Sequence, residues 1–205
     1  MPTYTGVLGR GGRWLLERVV EVLAATGIHP NELTAAGLVL NTWAAVLLAA
    51  HRFRWAALVI FVAGLVDMTD GRVAERQGRR TTFSAFFDSM IGRYCDMVLY
   101  MGLIIYYARI GRGFYVVLAA VAMMSSFLVS YSQARAESLI ASCRVGFMER
   151  PERIMLLILG AASDRLAPVL WVIAVLSTWT VVHRIIFTWR ETAAGRALPA
   201  APSAR

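Results

Sequence analysis

Six apolar stretches divided by short polar breaks run along nearly the whole chain, over residues 33–50, 55–73, 83–108, 114–140, 154–163 and 168–187. A helix needs roughly 20 apolar residues to cross the hydrocarbon of a bilayer, and every stretch except the fifth approaches that length. The fifth reaches it only by recruiting flanking residues from the segment 151–166. Composition agrees: 58% of the 205 residues are apolar and 17% are charged, where a soluble domain is roughly half apolar and a quarter charged. The fold class that follows is an all-α integral membrane protein, a six-transmembrane-helix bundle. Short loops make neighbouring helices antiparallel and the region 1–191 a single domain.

Residues 12–26 place Trp14, Leu15, Val19, Val22 and Leu23 on one helical face and Arg13, Glu17, Arg18 and Glu21 on the other. That is the pattern of an N-terminal amphipathic interfacial helix, and also of a surface helix packed on the body. Residues 1–12 lack the apolar core of a signal peptide. The Ala/Pro-rich segment 192–205 reads as a disordered cytoplasmic tail. Cys95 and Cys143 have no spacing that suits a disulfide framework or a zinc site.

The net charge is +8, yet the arginines cluster in short loops, so topology and anionic headgroups account for them and nucleic acid does not. Arg72, Arg76, Arg79, Arg80, Arg135, Arg144, Arg150 and Arg153 fall on one side of the bundle. Opposite them lie only Arg52, Arg54, Arg109, Arg112 and Arg165. Positive-inside orientation then puts both termini on the cytoplasmic side of the cell membrane.

Asp67, Asp70, Asp88 and Asp96 lie within or against these apolar stretches. An ionised group at membrane depth costs several kcal/mol, roughly 3 by the lower scales, so it calls for a partner or a task. Asp67 and Asp70 are three apart on one helical face, and the turn after them brings Asp88 back on the same, cytoplasmic side. Clustered oxygen ligands suit a hard divalent cation, Mg²⁺ first and Mn²⁺ next. Gly71 lets a bulky group approach the backbone. A metal-clamped pyrophosphate fits this arrangement; a proton or ion relay, or polar contacts between helices, would use the same carboxylates.

The register of these residues resembles the CDP-alcohol phosphotransferase signature, Asp-x-x-Asp-Gly-x-x-Ala-Arg, eight residues, then Gly-x-x-x-Asp-x-x-x-Asp. Asp67, Asp70, Gly71, Ala74 and Asp88 match it. The tract from Gly27 through His29, Asn31 and Thr34 resembles the family's lead into its first span. The tracts 130–137 and 146–153 resemble its phosphatidylinositol-phosphate synthase branch, and the likeness extends over about residues 27–187. The resemblance implies a six-span, homodimeric enzyme in the bilayer that moves a phosphatidyl group from CDP-diacylglycerol to a polar alcohol, with release of CMP. It implies Asp67, Asp70 and Asp88 as metal ligands, and Asn31, Thr34, Gly71, Ala74 and Ser84 at the nucleotide. Arg153 and Arg184 match positions for an acceptor's phosphate, with Gln133 where that branch often carries Lys.

Three positions depart from the signature: Glu75 in place of Arg, Ser84 in place of Gly, and Gly92 in place of the last Asp, the family's general base. Two residues are weak substitutes for that base. Asp96 lies one turn beyond Gly92, where pairing with Arg93 is its structural alternative, and Glu75 stands at the mouth of the site. The alternative to a working transferase is therefore a catalytically impaired relative that binds CDP-lipid or serves as a partner subunit.

Overall fold

The computed structural model describes Glu17, Arg18, Glu21, residues 28–79 and residues 81–194. Apart from Glu17, Arg18 and Glu21, the amphipathic segment 12–26 lies outside the described residues, as does the tail beyond Ala194. The described residues form six helices: α1 (Pro30–Ala49), α2 (Phe53–Arg76), α3 (Thr82–Arg109), α4 (Gly113–Glu137), α5 (Arg150–Ala162) and α6 (Leu166–Ala193).

Local chemistry sets the starts that matter for the site. Pro30 opens α1 with its φ already helical. His29 Nδ1 accepts from the Asn31 amide and Glu32 accepts from the His29 amide, each at 3.3 Å. α3 begins with a reciprocal cap: Thr81 Oγ1 accepts from the Ser84 amide at 3.0 Å, and Ser84 Oγ accepts from the Thr81 amide at 2.9 Å. Ser84, one of the departures from the signature, thus holds the entry of the helix that carries Asp88.

α1 packs on α2 and α3, α3 on α4, α4 on α6, α6 on α5, and α5 on α2. These pairs close a ring in which α2 and α3 are not a principal packed pair, leaving room between the two acidic helices. Ala44, Leu48, Ile60, Leu99, Leu103, Leu157, Leu170 and Ile173 fill the centre. Gly102 lets α3 approach α1 so closely that a Cβ there would stand 2.5 Å from the Ala45 carbonyl oxygen. The exterior is apolar: Trp43, Trp55, Phe61, Phe114, Trp179 and Trp189 are all exposed, a surface that water does not tolerate on this scale.

Three of the six helices are long and apolar enough to cross a membrane: α1 over Asn31–Ala49, α4 over Gly113–Glu137 and α6 over Leu166–Ala193. The six-span expectation is therefore met in part. α2 and α3 have the length, at 24 and 28 residues, but charged residues interrupt them. α5 has only 13 residues, ~20 Å of helix against ~30 Å of hydrocarbon.

The expected extension of α5 to residue 166 does not occur. Ser163 Oγ bonds back to the Leu159 carbonyl, Asp164 takes a left-handed φ of 58°, and Leu166 already begins α6. At the other end α6 runs past the expected limit of its span through Ala193, with Thr192 Oγ1 bonded to the Thr188 carbonyl at 2.9 Å.

Candidate functional site

Asp67 and Asp70 sit one turn apart near the end of α2, and Asp88 in the second turn of α3. Each offers a carboxylate oxygen, and the three oxygens lie within 4.8 Å of one another. Like charges at that separation repel by ~3 kcal/mol or more per pair at an effective dielectric of ~20. A donor set of three hard, convergent oxygens is what a divalent cation such as Mg²⁺ or Mn²⁺ requires. Asp70 is the buried member of the set. Its Oδ2 accepts from Thr34 Oγ1 at 2.9 Å and its Oδ1 from the Gly71 amide at 2.6 Å, so its orientation is held from α1 as well as from its own helix.

A cleft of about 170 Å³ opens beside these groups, lined by Asn31, Thr34, Asp70, Gly71, Ala74, Ser84, Ala85 and Asp88. All five residues singled out for the nucleotide share this one cleft with two of the carboxylates. No atom lies within 4 Å of where a Cβ on Gly71 would stand, so the α2 backbone is open to close approach from the cleft.

A larger cleft of about 380 Å³ is lined by Gly92 together with Ser89, Arg93, Gln133, Glu149 and Arg150. Of the three residues expected to meet an acceptor, Gln133 lines it, donating to Glu137 Oε1 at 3.2 Å. Arg153 and Arg184 are buried and do not. Arg153 donates to the Met148 carbonyl at 3.2 Å and to Asp96 at 3.0 Å. Arg184 donates to the carbonyls of Val145 and Val129, with its other terminal nitrogen 3.6 Å from Glu149.

The expected pairing of Asp96 with Arg93 is corrected. Arg93 turns to the Met90 sulfur, while Asp96 faces inward from α3 and receives Arg150 Nε at 3.2 Å and Arg153 at 3.0 Å. Burial explains the choice: a carboxylate at this depth needs cations that are themselves withdrawn from water. Glu75 is exposed at the end of α2 and lines neither cleft.

The residue that the sequence reading passed over is Arg150. Its fork grips Asp67, Nη1 to Oδ2 at 2.9 Å and Nη2 to Oδ1 at 3.1 Å, while its Nε holds Asp96. Arg150 is the first residue of α5 and Arg153 stands one turn on. Cations at a helix N-terminus oppose the macrodipole, at ~0.3–1 kcal/mol each. Two arginines three apart in the first turn of a short helix were the available signal, since nothing in helix stability calls for them there.

With this geometry in hand, comparison with known proteins is specific. The family model described as CDP-alcohol phosphatidyltransferase matches residues 27–190. An archaetidylinositol phosphate synthase of Methanothermobacter thermautotrophicus is 30% identical over 187 residues, covering 87% of this chain and 93% of that protein. The crystal structure of Mycobacterium tuberculosis phosphatidylinositol phosphate synthase with CDP-DAG bound superposes with a TM-score of 0.78 at 29% identity, covering 85% of this chain and 93% of that one. The same enzyme in complex with manganese and citrate gives 0.75 at 27% identity, covering 85% and 88%.

Proposed function

The chain belongs to the CDP-alcohol phosphatidyltransferase family, and on that premise we propose that it transfers the phosphatidyl group of CDP-diacylglycerol to a polar alcohol, inositol phosphate foremost. The acceptor hydroxyl oxygen forms a bond to the phosphatidyl phosphorus, the pyrophosphate P–O bond breaks, CMP leaves with the bonding pair, and the hydroxyl proton passes to a base or to water. The observation that carries the reading is the convergence of Asp67, Asp70 and Asp88 beside the cleft formed by Asn31, Thr34, Gly71, Ala74 and Ser84.

A divalent cation, Mg²⁺ or Mn²⁺, held by those carboxylates would neutralise the diphosphate and the charge growing on CMP. Around it, Thr34 orients Asp70, and Gly71 leaves the backbone open to the diphosphate. The acceptor enters the cleft lined by Gln133. Arg153 Nε is a buried nitrogen with no hydrogen-bond acceptor among the described residues, and such a group is normally satisfied by a partner, which supports an anionic acceptor group nearby. In this reading α2, α3 and α5, the last with residues that flank it, complete six membrane passes. Both termini and the two clefts face the cytoplasm, and the enzyme works as a homodimer.

One observation favours a second reading, an impaired relative that retains CDP-lipid or acts as a partner subunit. Position 92 offers no carboxylate, and both oxygens of Asp96 are engaged by guanidinium groups. A single assay separates the two. Purified protein in lipid micelles with Mg²⁺ and radiolabelled CDP-diacylglycerol is offered inositol phosphate, inositol, glycerol phosphate or serine. Transferase function gives CMP and labelled lipid with inositol phosphate. Retained CDP binding without CMP from any acceptor supports the impaired relative.

A further inference from the structure

We propose that the guanidinium of Arg150 occupies the place of a second cation at Asp67, so that this chain's site takes a single divalent ion. The inference rests on the reading of Asp67, Asp70 and Asp88 as metal ligands. Its observations are the fit of Arg150 against Gly92 and the pinning of that guanidinium from two sides.

Gly92 is buried within α3, and a Cβ built on it would stand 2.6 Å from Arg150 Nη1, 2.9 Å from Cζ and 3.1 Å from Nη2. No side chain fits while Arg150 keeps this position; glycine and guanidinium share one space. A mid-helix glycine sacrifices helix stability, and close approach of another group is the usual reason for one. Here the approaching group is a permanent cation.

Its position is determined from two directions. The planar fork matches the Asp67 carboxylate with two parallel bonds, while Nε points to Asp96. Asp96 is itself anchored from behind by Arg153, a fully buried arginine. Lysine could supply the charge but not three simultaneous donors in this geometry. Arg150 also lines the larger cleft beside Gln133, so one fixed positive charge stands between the carboxylate cluster and the acceptor side.

For metal binding the consequence is direct. A cation on the Asp67–Gly92 side would have to displace the guanidinium or sit against it, in a setting where like charges are poorly screened. A divalent ion can instead be held between Asp70, Asp88 and the remaining lone pairs of Asp67. Arg150 is thus a positioning residue, substituting a built-in charge for an exchangeable one.

The test counts ions. Titration of Mn²⁺ into the full-length protein in detergent micelles, followed by the electron paramagnetic resonance signal of the free ion, is expected to give one Mn²⁺ per chain. Arg150→Gln is expected to admit a second, weaker ion at Asp67, and the double variant Gly92→Asp with Arg150→Gln to bind two. Two ions in the unaltered protein overturn the proposal, as does none. So does a count that stays at one in Arg150→Gln while circular dichroism shows an intact helical fold. If the double variant does not fold, the unaltered chain and Arg150→Gln decide. A count of two leaves the transfer reaction standing, whereas one ion without CMP release in the transfer assay upholds Arg150 and removes the reaction.

Discussion

The Thr34 hydroxyl donates to Asp70 Oδ2 across 2.9 Å, joining the first helix to the most deeply buried carboxylate of the cluster. Removing an outer partner of a metal ligand typically lowers metal affinity ~10–100-fold. Thr34→Val keeps the shape and loses the donor, so Mn²⁺ affinity is expected to fall about tenfold, while Thr34→Ser retains it. Isothermal titration with Mn²⁺ makes the comparison; equal affinities in all three proteins would mean that Asp70 needs no help from α1.

Asp88 reaches the cluster from α3 and also lines the smaller cleft, so it links the cation to whatever the cleft holds. Asp88→Asn removes one of three convergent charges without changing side-chain volume. The expected result is loss of divalent-cation-dependent CDP binding, measured by titrating CDP with and without Mg²⁺. Binding that persists and still depends on Mg²⁺ would place the metal elsewhere.

These carboxylates were legible in the sequence because their spacing is local: three residues apart on α2, then one turn and a short run into α3. The helix cores were legible for the same reason, since an apolar run of this length has few alternatives. The shortness of the fifth stretch was legible too, whereas its expected recruitment of residues up to 166 was not met, because Ser163 and Asp164 end α5 by a hydroxyl bond and a left-handed turn. Nor was Arg150 legible as a partner of Asp67. The two are 83 residues apart, and no periodicity encodes a contact between helices that only the closed ring of packing brings together. The Asp96–Arg93 pairing failed by the same route: proximity along one helix yielded to burial across three.

Packing makes its own prediction at Gly102, where an added methyl would meet the Ala45 backbone at 2.5–3.0 Å. Backbone cannot step aside as a flexible side chain can, so Gly102→Ala must part α1 from α3, at ~1–3 kcal/mol for such overpacking. Gly64→Ala on α2 is the control, with nothing within 4 Å of its Cβ position, and is expected to be neutral or to stabilise by ~0.5–1 kcal/mol. Thermal melts of both variants in the same detergent read the difference. A midpoint for Gly102→Ala at or above that of the unaltered protein would show that α1 and α3 are not held this closely.

Asp96 separates stability from chemistry. Its oxygens hold Arg150 at 3.2 Å and Arg153 at 3.0 Å, and the Arg153 side chain is only 1% exposed. Asp96→Asn keeps the volume but turns an amide NH₂ toward guanidinium donors and leaves a buried positive charge without its counter-ion. Breaking a buried pair from one side costs ~3–5 kcal/mol, which for a chain of this size lowers the melting midpoint by on the order of 10 °C. If Asp96 were instead the base that takes the acceptor's proton, the same substitution would lower CMP release ~10²–10⁴-fold and leave the midpoint nearly unchanged. The ion-pair geometry predicts the first outcome, with Asp96→Asn and Arg153→Gln each destabilising alone. Because both remove parts of one interaction, the double variant should be more stable than the sum of the two losses implies, which a base acting independently of Arg153 would not produce.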